Sequence, residues 1–598
     1  MQLKPAASPT DAGPTTVTGF GNGNGNAAGE GAGLARVRTE SQSGVSEVTT
    51  AAGQNGWHNG YGNGGHRLGN GSVSSPGDAM EARQRLRSDT ANNVEGAAMG
   101  DVGEHLSIEL VRELIEYYIK YLHDKPHAVI HVPTLRRDVE QGVITKPLLY
   151  SILALSARFH DSPSVKNLGG RLAEEAKLLL QASLETITLA NVQAWIVLAN
   201  NCGANAKSSA EALYFGIATR MAHILGLPNH QPEDTAVERE MKIRIWWSLY
   251  MIDRWSAAGL GLPRQMHDLD NTMVLSMDEY DFHNMAIDQQ ALDKPRKLGL
   301  WAHMVTLVEV FGPIQDLNRL LAFQDVDDHY IASAVSEYSI RLEEWQRSLP
   351  SDAQLSVDTL AYHKSRGHGR TLVALHLGYY HYATLLYFQY LDATARASSE
   401  HGEIYALRCR EHASAYSDLL RTSYEFGECE AMYNIVGHMT VVSSSVLIHT
   451  LLFGSDEELG LAKARLESNF KILMRLKSWW PSVEQMIGRL IMFQNACLRS
   501  ADTHTHKVDR WMVKYLLEHA ILLGDKSEME LMDTPSPVSL TDGSLGLREE
   551  LQRLSERGRF TSSALSGLRN NEVRRLGSFG GHGGNGVGGG GNLAVSAG

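Results

Sequence analysis

Arg244-Ile-Trp-Trp-Ser-Leu-Tyr-Met-Ile-Asp-Arg254 reads as the centre of a strongly apolar helix. On a 3.6-residue period Trp246 shares a face with Tyr250 and Asp253, and Trp247 shares one with Arg244 and Met251. Neighbouring helices can therefore absorb both indole rings. The same pair could line a ligand cage or stack on single-stranded nucleic acid, but burial in a core is the stronger reading. Upstream, Thr235 with Glu238 three residues later forms a capping box that opens this helix, which is expected to end before Gly259.

The flanking sequence repeats the helical theme. Ser107 is a plausible N-cap for a helix whose apolar face is Ile108, Val111, Ile115, Ile119 and Leu122. Pro147 suits the first turn of a helix running through Leu155 to Phe159, and further helices are expected over Arg171 to Leu184 and Thr188 to Asn200. Ser208 or Ser209 opens another, with the face Leu213, Ile217, Met221 and Ile224, closed by Gly226 and Pro228. Ser482 and Gln485 have the spacing of a second capping box. No stretch of comparable quality alternates as a strand does, so the expected fold class is all-α, one large multi-helix domain over 105–524. Residues 1–104, rich in Gly and Asn, read as a disordered tail. So do residues 525–598 for the most part, with TPSPVS, one weak helix near Leu547 to Arg557 and a terminal glycine tract.

Composition excludes several functions. A formal charge of −13 does not suit a protein that coats phosphate backbones. The only dense basic strings, Arg83, Arg85, Arg87 and Arg569, Arg574, Arg575, fall in the tails. The four cysteines, Cys202, Cys409, Cys429 and Cys497, are scattered singly, which points to a reduced compartment and not to a disulfide frame or a zinc knuckle. The N-terminus lacks the apolar region of a secretion signal. Ala431 to Ser455 carries no Asp, Glu, Lys or Arg and is long enough to span a bilayer. Its Asn434, His438, Thr440, His449 and Ser443 to Ser445 would be costly in lipid, so a buried helix is expected and no membrane partner.

Catalytic marks are absent. There is no GxSxG elbow, no P-loop and no HExxH helix, and the GxGxxG string at Gly581, Gly583 and Gly586 sits in a glycine tract without strand or helix beside it. His123, His127 and His131 recur every four residues, as metal ligands on one helix face would. Pro126 breaks that helix, which favours a structural turn. His504 and His506 point about 200° apart on a helix. The expectation is therefore no enzyme, no catalytic residues, and no metal or cofactor in this chain.

Arg244 to Arg254, followed by Gly261-Leu-Pro263 and the acidic Asp268 and Asp270, resembles the central signature of fungal-specific transcription factor domains, R-x-x-W-W-x-L-Y-x-x-D-R, then G-R-P, then a D-x-D-like segment. Leu262 stands where the arginine is usual, with Arg264 two places on. Supporting segments follow the family's order: Leu184 to Ala194, Phe215 to Leu227, Leu342 to Pro350, and the aromatic helix His376 to Gln389. The likeness spans about residues 107–520. It implies a nuclear regulator in which this helical region, the middle homology region, controls activity while an N-terminal six-cysteine cluster binding two zinc ions reads DNA. The residues it marks for regulation are Arg244, Trp246, Trp247, Tyr250, Asp253, Arg254, Gly261 and Pro263.

The first hundred residues hold no cysteine. The expectation is regulation without direct DNA contact, through a complete zinc-cluster factor, the transcription machinery or a homo- or heterodimer, or else a coding segment missing upstream. Asp525 to Asp542, acidic and apolar, could serve as an activation segment, but an ordinary solvated linker is the stronger reading. A helical scaffold without a transcriptional role is the alternative, and an enzyme using a pocket in the bundle has no motif behind it.

Overall fold

The computed structural model describes residues 106–520 apart from 126–127, 268–272 and 503–509. The expectations placed on the two tails, on Pro126, His127, Asp268, Asp270, His504 and His506 lie outside the described residues. Within them the chain is built of helices. The first seven are α1 (Ile108–Tyr121), α2 (Val132–Glu140), α3 (Lys146–Ser156), α4 (Pro163–Ala182), α5 (Leu189–Ala204), α6 (Ser208–Ile224) and α7 (Ala236–Leu260). A long connection carrying the single turn α8 (Glu279–His283) leads to α9 (Leu300–Phe323), α10 (Asp328–Ser348), α11 (Val357–Ser365), α12 (Gly369–Tyr387) and α13 (Ala393–Ser398). The set closes with α14 (Gly402–Phe426), α15 (Ile435–Phe453), α16 (Asp456–Lys477), α17 (Val483–Asp502) and α18 (Arg510–Leu517). Among the described residues the only strand-like pairing is an isolated bridge between Met277 and Leu298.

Local chemistry accounts for the helix ends. The Ser107 hydroxyl accepts from Leu110 N–H at the start of α1, and Thr188 does the same for Asn191 at α5. The Thr235–Glu238 box is formed in both directions at α7. The Ser482–Gln485 box is not formed as expected. The Ser482 hydroxyl donates to Asn434 Oδ1 at 2.7 Å, tying α17 to the start of α15.

Packing joins both consecutive and more distant helices: α3 against α4 and α5, α5 against α6, α9 against α12, α12 against α14, and α15 against α14, α16 and α17. One contiguous hydrophobic cluster runs through them from Val111 to Leu516. α15 carries the charge-free stretch, long and apolar enough to cross a membrane, and 94% of that window is buried among the other helices.

Three expected details differ. Ile108 is exposed, and Leu114 and Tyr118 complete the buried face of α1. Leu213 and Ile224 of α6 are also exposed, because the stripe that meets α5 and α7 is Tyr214, Phe215, Ala218, Met221 and Ala222, one step around the wheel. α7 continues past Gly259 to Leu260. Gly259 lies inside the helix, and the His519 ring occupies the place its Cβ would take, while the helix ends at Gly261, whose φ of +64° suits glycine.

Candidate functional site

α7 buries charge as well as indole rings. Glu240 is fully buried and accepts from Arg244 Nε at 3.0 Å and from the Met277 backbone N–H at 2.9 Å, while its second oxygen accepts from Arg296 at 2.5 Å. Arg244 in turn donates to the Met277 carbonyl at 2.5 Å, lies over the Phe282 ring at 4.4 Å, and faces Glu279 at 3.8 Å. Glu279 accepts from the backbone N–H groups of Leu300 and Trp301, at 2.9 and 3.1 Å, and so caps the start of α9. Burial pushes its carboxyl up to about 7, against the pull of Arg244. These contacts fasten the connection after α7 at both its middle and its end.

The rest of the marked residues serve the same connection. Trp247 donates its indole N–H to the Val274 carbonyl at 2.9 Å and meets Tyr250 edge-on, with ring centres 5.3 Å apart. Trp246 is buried against His223. Asp253 accepts the backbone N–H groups of Gln265 and Met266 at 2.9 to 3.1 Å. Arg254 is buried over the Tyr250 ring, 3.4 Å from its centre. Arg319 of α9 reaches back to the carbonyls of Gly261 and Leu262, both at 3.1 Å. Pro263 follows in the same turn, and Arg264, the displaced family arginine, pairs with Asp316 of α9. The structure thus brings Arg244, Trp247, Asp253 and Gly261 together as anchors of one loop, while Trp246 packs against His223 of α6.

Beside α7 lies a cavity walled by Trp255, Lys125, Glu211, Tyr433 and Trp480 among others, with apolar and polar side chains both in its lining. The Glu211 carboxyl rests over Gly203, and burial pushes it up to about 7. A second cavity shares Trp255 and Tyr433 and is lined by the buried His381 and His438. Such a chamber suits a small apolar molecule. Trp255, one position beyond the signature, separates the two cavities, and nothing in its spacing singles it out.

Of the three histidines read as a structural turn, the two described ones, His123 and His131, part company. His131 donates or accepts through Nδ1 to Thr134 at 2.8 Å and through Nε2 to the Phe282 carbonyl at 3.1 Å. His123 turns instead toward His283, with Asp124 beside them. Sequence spacing could not find that group, because its members come from the end of α1 and from α8, 160 positions apart.

Residues 115–312 match the fungal specific transcription factor domain. That region contains α7 and the whole connection it anchors. Along a longer alignment, Zn(2)-C6 fungal-type transcription factor FTF2 of Fusarium oxysporum f. sp. lycopersici is 21% identical over 512 residues, 75% of this chain and 46% of the relative. FTF1c of the same fungus is 20% identical over 430 residues, 65% of this chain and 45% of the relative. A transcriptional regulatory protein of Schizosaccharomyces pombe is 24% identical over 315 residues, 47% of this chain and 32% of the relative. The chain spans about half the length, or less, of the curated relatives it matches.

Proposed function

We propose, from the premise that residues 115–312 form a fungal specific transcription factor domain, that this chain regulates transcription in the nucleus through its helical body. Contact with DNA is supplied by a partner, either a complete zinc-cluster factor or a component of the transcription machinery, or by a segment outside the given sequence. In this reading the chain holds no DNA-reading zinc cluster of its own and performs no catalysis. The observation that carries it is the placement of the family signature. Arg244, Trp247, Asp253 and Gly261 are all engaged in holding the connection between α7 and α9. A loop held by a few buried anchors is an element whose packing an effector or partner can bias.

Fusing the full chain to an unrelated DNA-binding domain tests the proposal. Reporter output from the matching site should differ several-fold from that of the DNA-binding domain alone, and a tagged chain should accumulate in nuclei. Trp247→Ala and a bulky residue at Gly261 should shift that output while the chain stays folded. Stable exclusion from the nucleus together with an unchanged reporter would favour the scaffold reading instead.

A further inference from the structure

Where α1 ends, the chain turns through Asp124 with φ of +58°, a left-handed conformation that a non-glycine residue adopts at a cost. The turn delivers a buried carboxylate, 3% exposed, to a point where two imidazoles also arrive. His123 Nε2 and His283 Nε2 are 3.1 Å apart, His283 Nε2 lies 3.2 Å from Asp124 Oδ2, and His123 Nε2 lies 3.4 Å from Asp124 Oδ1. Each of these atoms can present a lone pair to a common centre.

Hydrogen bonding alone serves this triangle badly. Each Nε2 can carry one proton, and that proton can point at the other imidazole or at the carboxylate but not well at both. Among the described residues Asp124 Oδ1 accepts no hydrogen bond, and neither His123 Nδ1 nor His283 Nδ1 has a partner that would fix its tautomer. The nearby cations turn away from the carboxylate. Lys125 Nζ donates to the His123 carbonyl at 2.7 Å, and Arg244 is committed to Glu240 and the Met277 carbonyl. Zinc bound at about 2.0–2.1 Å by nitrogen sets tetrahedral donors about 3.3–3.4 Å apart. The 3.1 Å between the two imidazole nitrogens and the 3.2 Å from His283 Nε2 to Asp124 Oδ2 are close to two edges of that tetrahedron, while Asp124 turns its other oxygen toward His123 Nε2, and one donor atom from each residue lies within 4.8 Å of the other two.

We propose that His123, Asp124 and His283 form a binding site for one divalent zinc ion. Two imidazoles and a carboxylate suit zinc and its transition-metal neighbours and do not suit magnesium or calcium, which take oxygen ligands. The fourth position falls to water on the side of His283, the least buried of the three at 15% side-chain exposure. Bound there, zinc ties the end of α1 to α8 and so adds a third anchor to the connection that Glu240, Arg244 and Glu279 already hold. This site is separate from the six-cysteine cluster of the family. It also departs from the expectation of a metal-free chain, which set aside His123, His127 and His131 as a ligand set because Pro126 breaks their helix.

The test uses the full chain, purified through a cleavable tag without histidines, loaded with zinc and dialysed. Elemental analysis of the wild type should give about one zinc per chain. His283→Ala and Asp124→Asn should each weaken zinc binding at least about tenfold in competition with a chromogenic chelator. His131→Ala, which alters a neighbouring ring that ligates nothing, should leave the stoichiometry unchanged. Circular dichroism checks that each variant is folded. Cobalt substitution of the wild type supplies a second readout, a tetrahedral visible spectrum that His283→Ala abolishes. A folded wild type that takes up no zinc overturns the proposal, and so does zinc uptake that His283→Ala and Asp124→Asn both leave intact. Either result leaves the transcriptional reading standing, because that reading is measured by reporter output.

Discussion

Two helices lie equally deep in the molecule and handle polarity in opposite ways. α7 buries Glu240, Arg244 and Arg254 as well as its tryptophans, and their partners are distant backbone atoms of the loop around Met266 and Met277. α15 buries no charge. Its Thr440, Ser445 and Thr450 hydroxyls donate to carbonyls one turn back, at Val436, Val441 and Val446. Others bridge to adjacent helices: Ser443 donates to the Ala413 carbonyl, and Ser444 accepts from the Asn469 amide of α16. Neutral hydroxyls that can fall back on their own helix bind bundle members together at little risk. Buried charges committed to one loop fix that loop, but the loss of a single partner strands the other. The run from Arg244 to Arg254 falls on α7, the charge-burying helix, so the loss of one partner there should be felt in the connection between α7 and α9.

The contrast is broken most directly at Arg244. Arg244→Met removes the partner of Glu240 on its own helix, and breaking a buried pair from one side costs about 3–5 kcal/mol. Urea denaturation should show that loss, and limited proteolysis should open the segment between Val274 and Gly299. Adding Glu240→Gln should recover part of it, because the buried carboxylate that lost Arg244 is then neutral, while Arg296, which is partly exposed, can turn to solvent. A cost for Arg244→Met no larger than that of a hydroxyl removed from α15 would dissolve the distinction between the two helices. Gly261→Val comes next. At φ of +64° a β-branched residue costs about 1–2 kcal/mol, whereas Gly170→Ala, on an open face of α4 with no atom near the added carbon, should be neutral or slightly stabilising by thermal melting.

What the sequence made legible was the existence of the helices and the identity of the central one. Thr235 with Glu238 and the run from Arg244 to Arg254 are local signals, and local signals survive folding. The miss on α6 has a different origin. Its wheel carries two adjacent apolar stripes, and Leu213 and Ile224 are larger than the alanines that are buried, so residue type favoured the wrong one. Ser482 had the spacing of a box but found Asn434 of another helix. The candidate site was legible as residues and not as an arrangement. Nothing local reveals that Asp253 accepts backbone donors of Gln265 and Met266, or that His283 returns to the end of α1. Such partners are chosen by tertiary packing across a long connection.

On α15 the expected effects are smaller. Ser445→Ala leaves the Tyr515 hydroxyl without its 2.8 Å partner, and a neutral hydrogen bond of this kind is worth about 1 kcal/mol in urea denaturation. The smallest effect expected is conditional on pH and comes from Glu211, a half-buried residue whose carboxyl packs over Gly203. Burial raises that carboxyl from 4.5 to about 7 in the folded protein, so folding favours the protonated form and the chain must desolvate a charge once pH exceeds that value. The associated stability is complete below about pH 4.5 and is lost as pH rises through about 7. Glu211→Gln imitates the protonated form at every pH. Its melting temperature should match that of the wild type near pH 5 and exceed it by about 1–2 °C at pH 8. An equal difference at both pH values would mean that the carboxyl remains ionised in the cavity, and the sensitivity of this domain would then reside in the α7 charges alone.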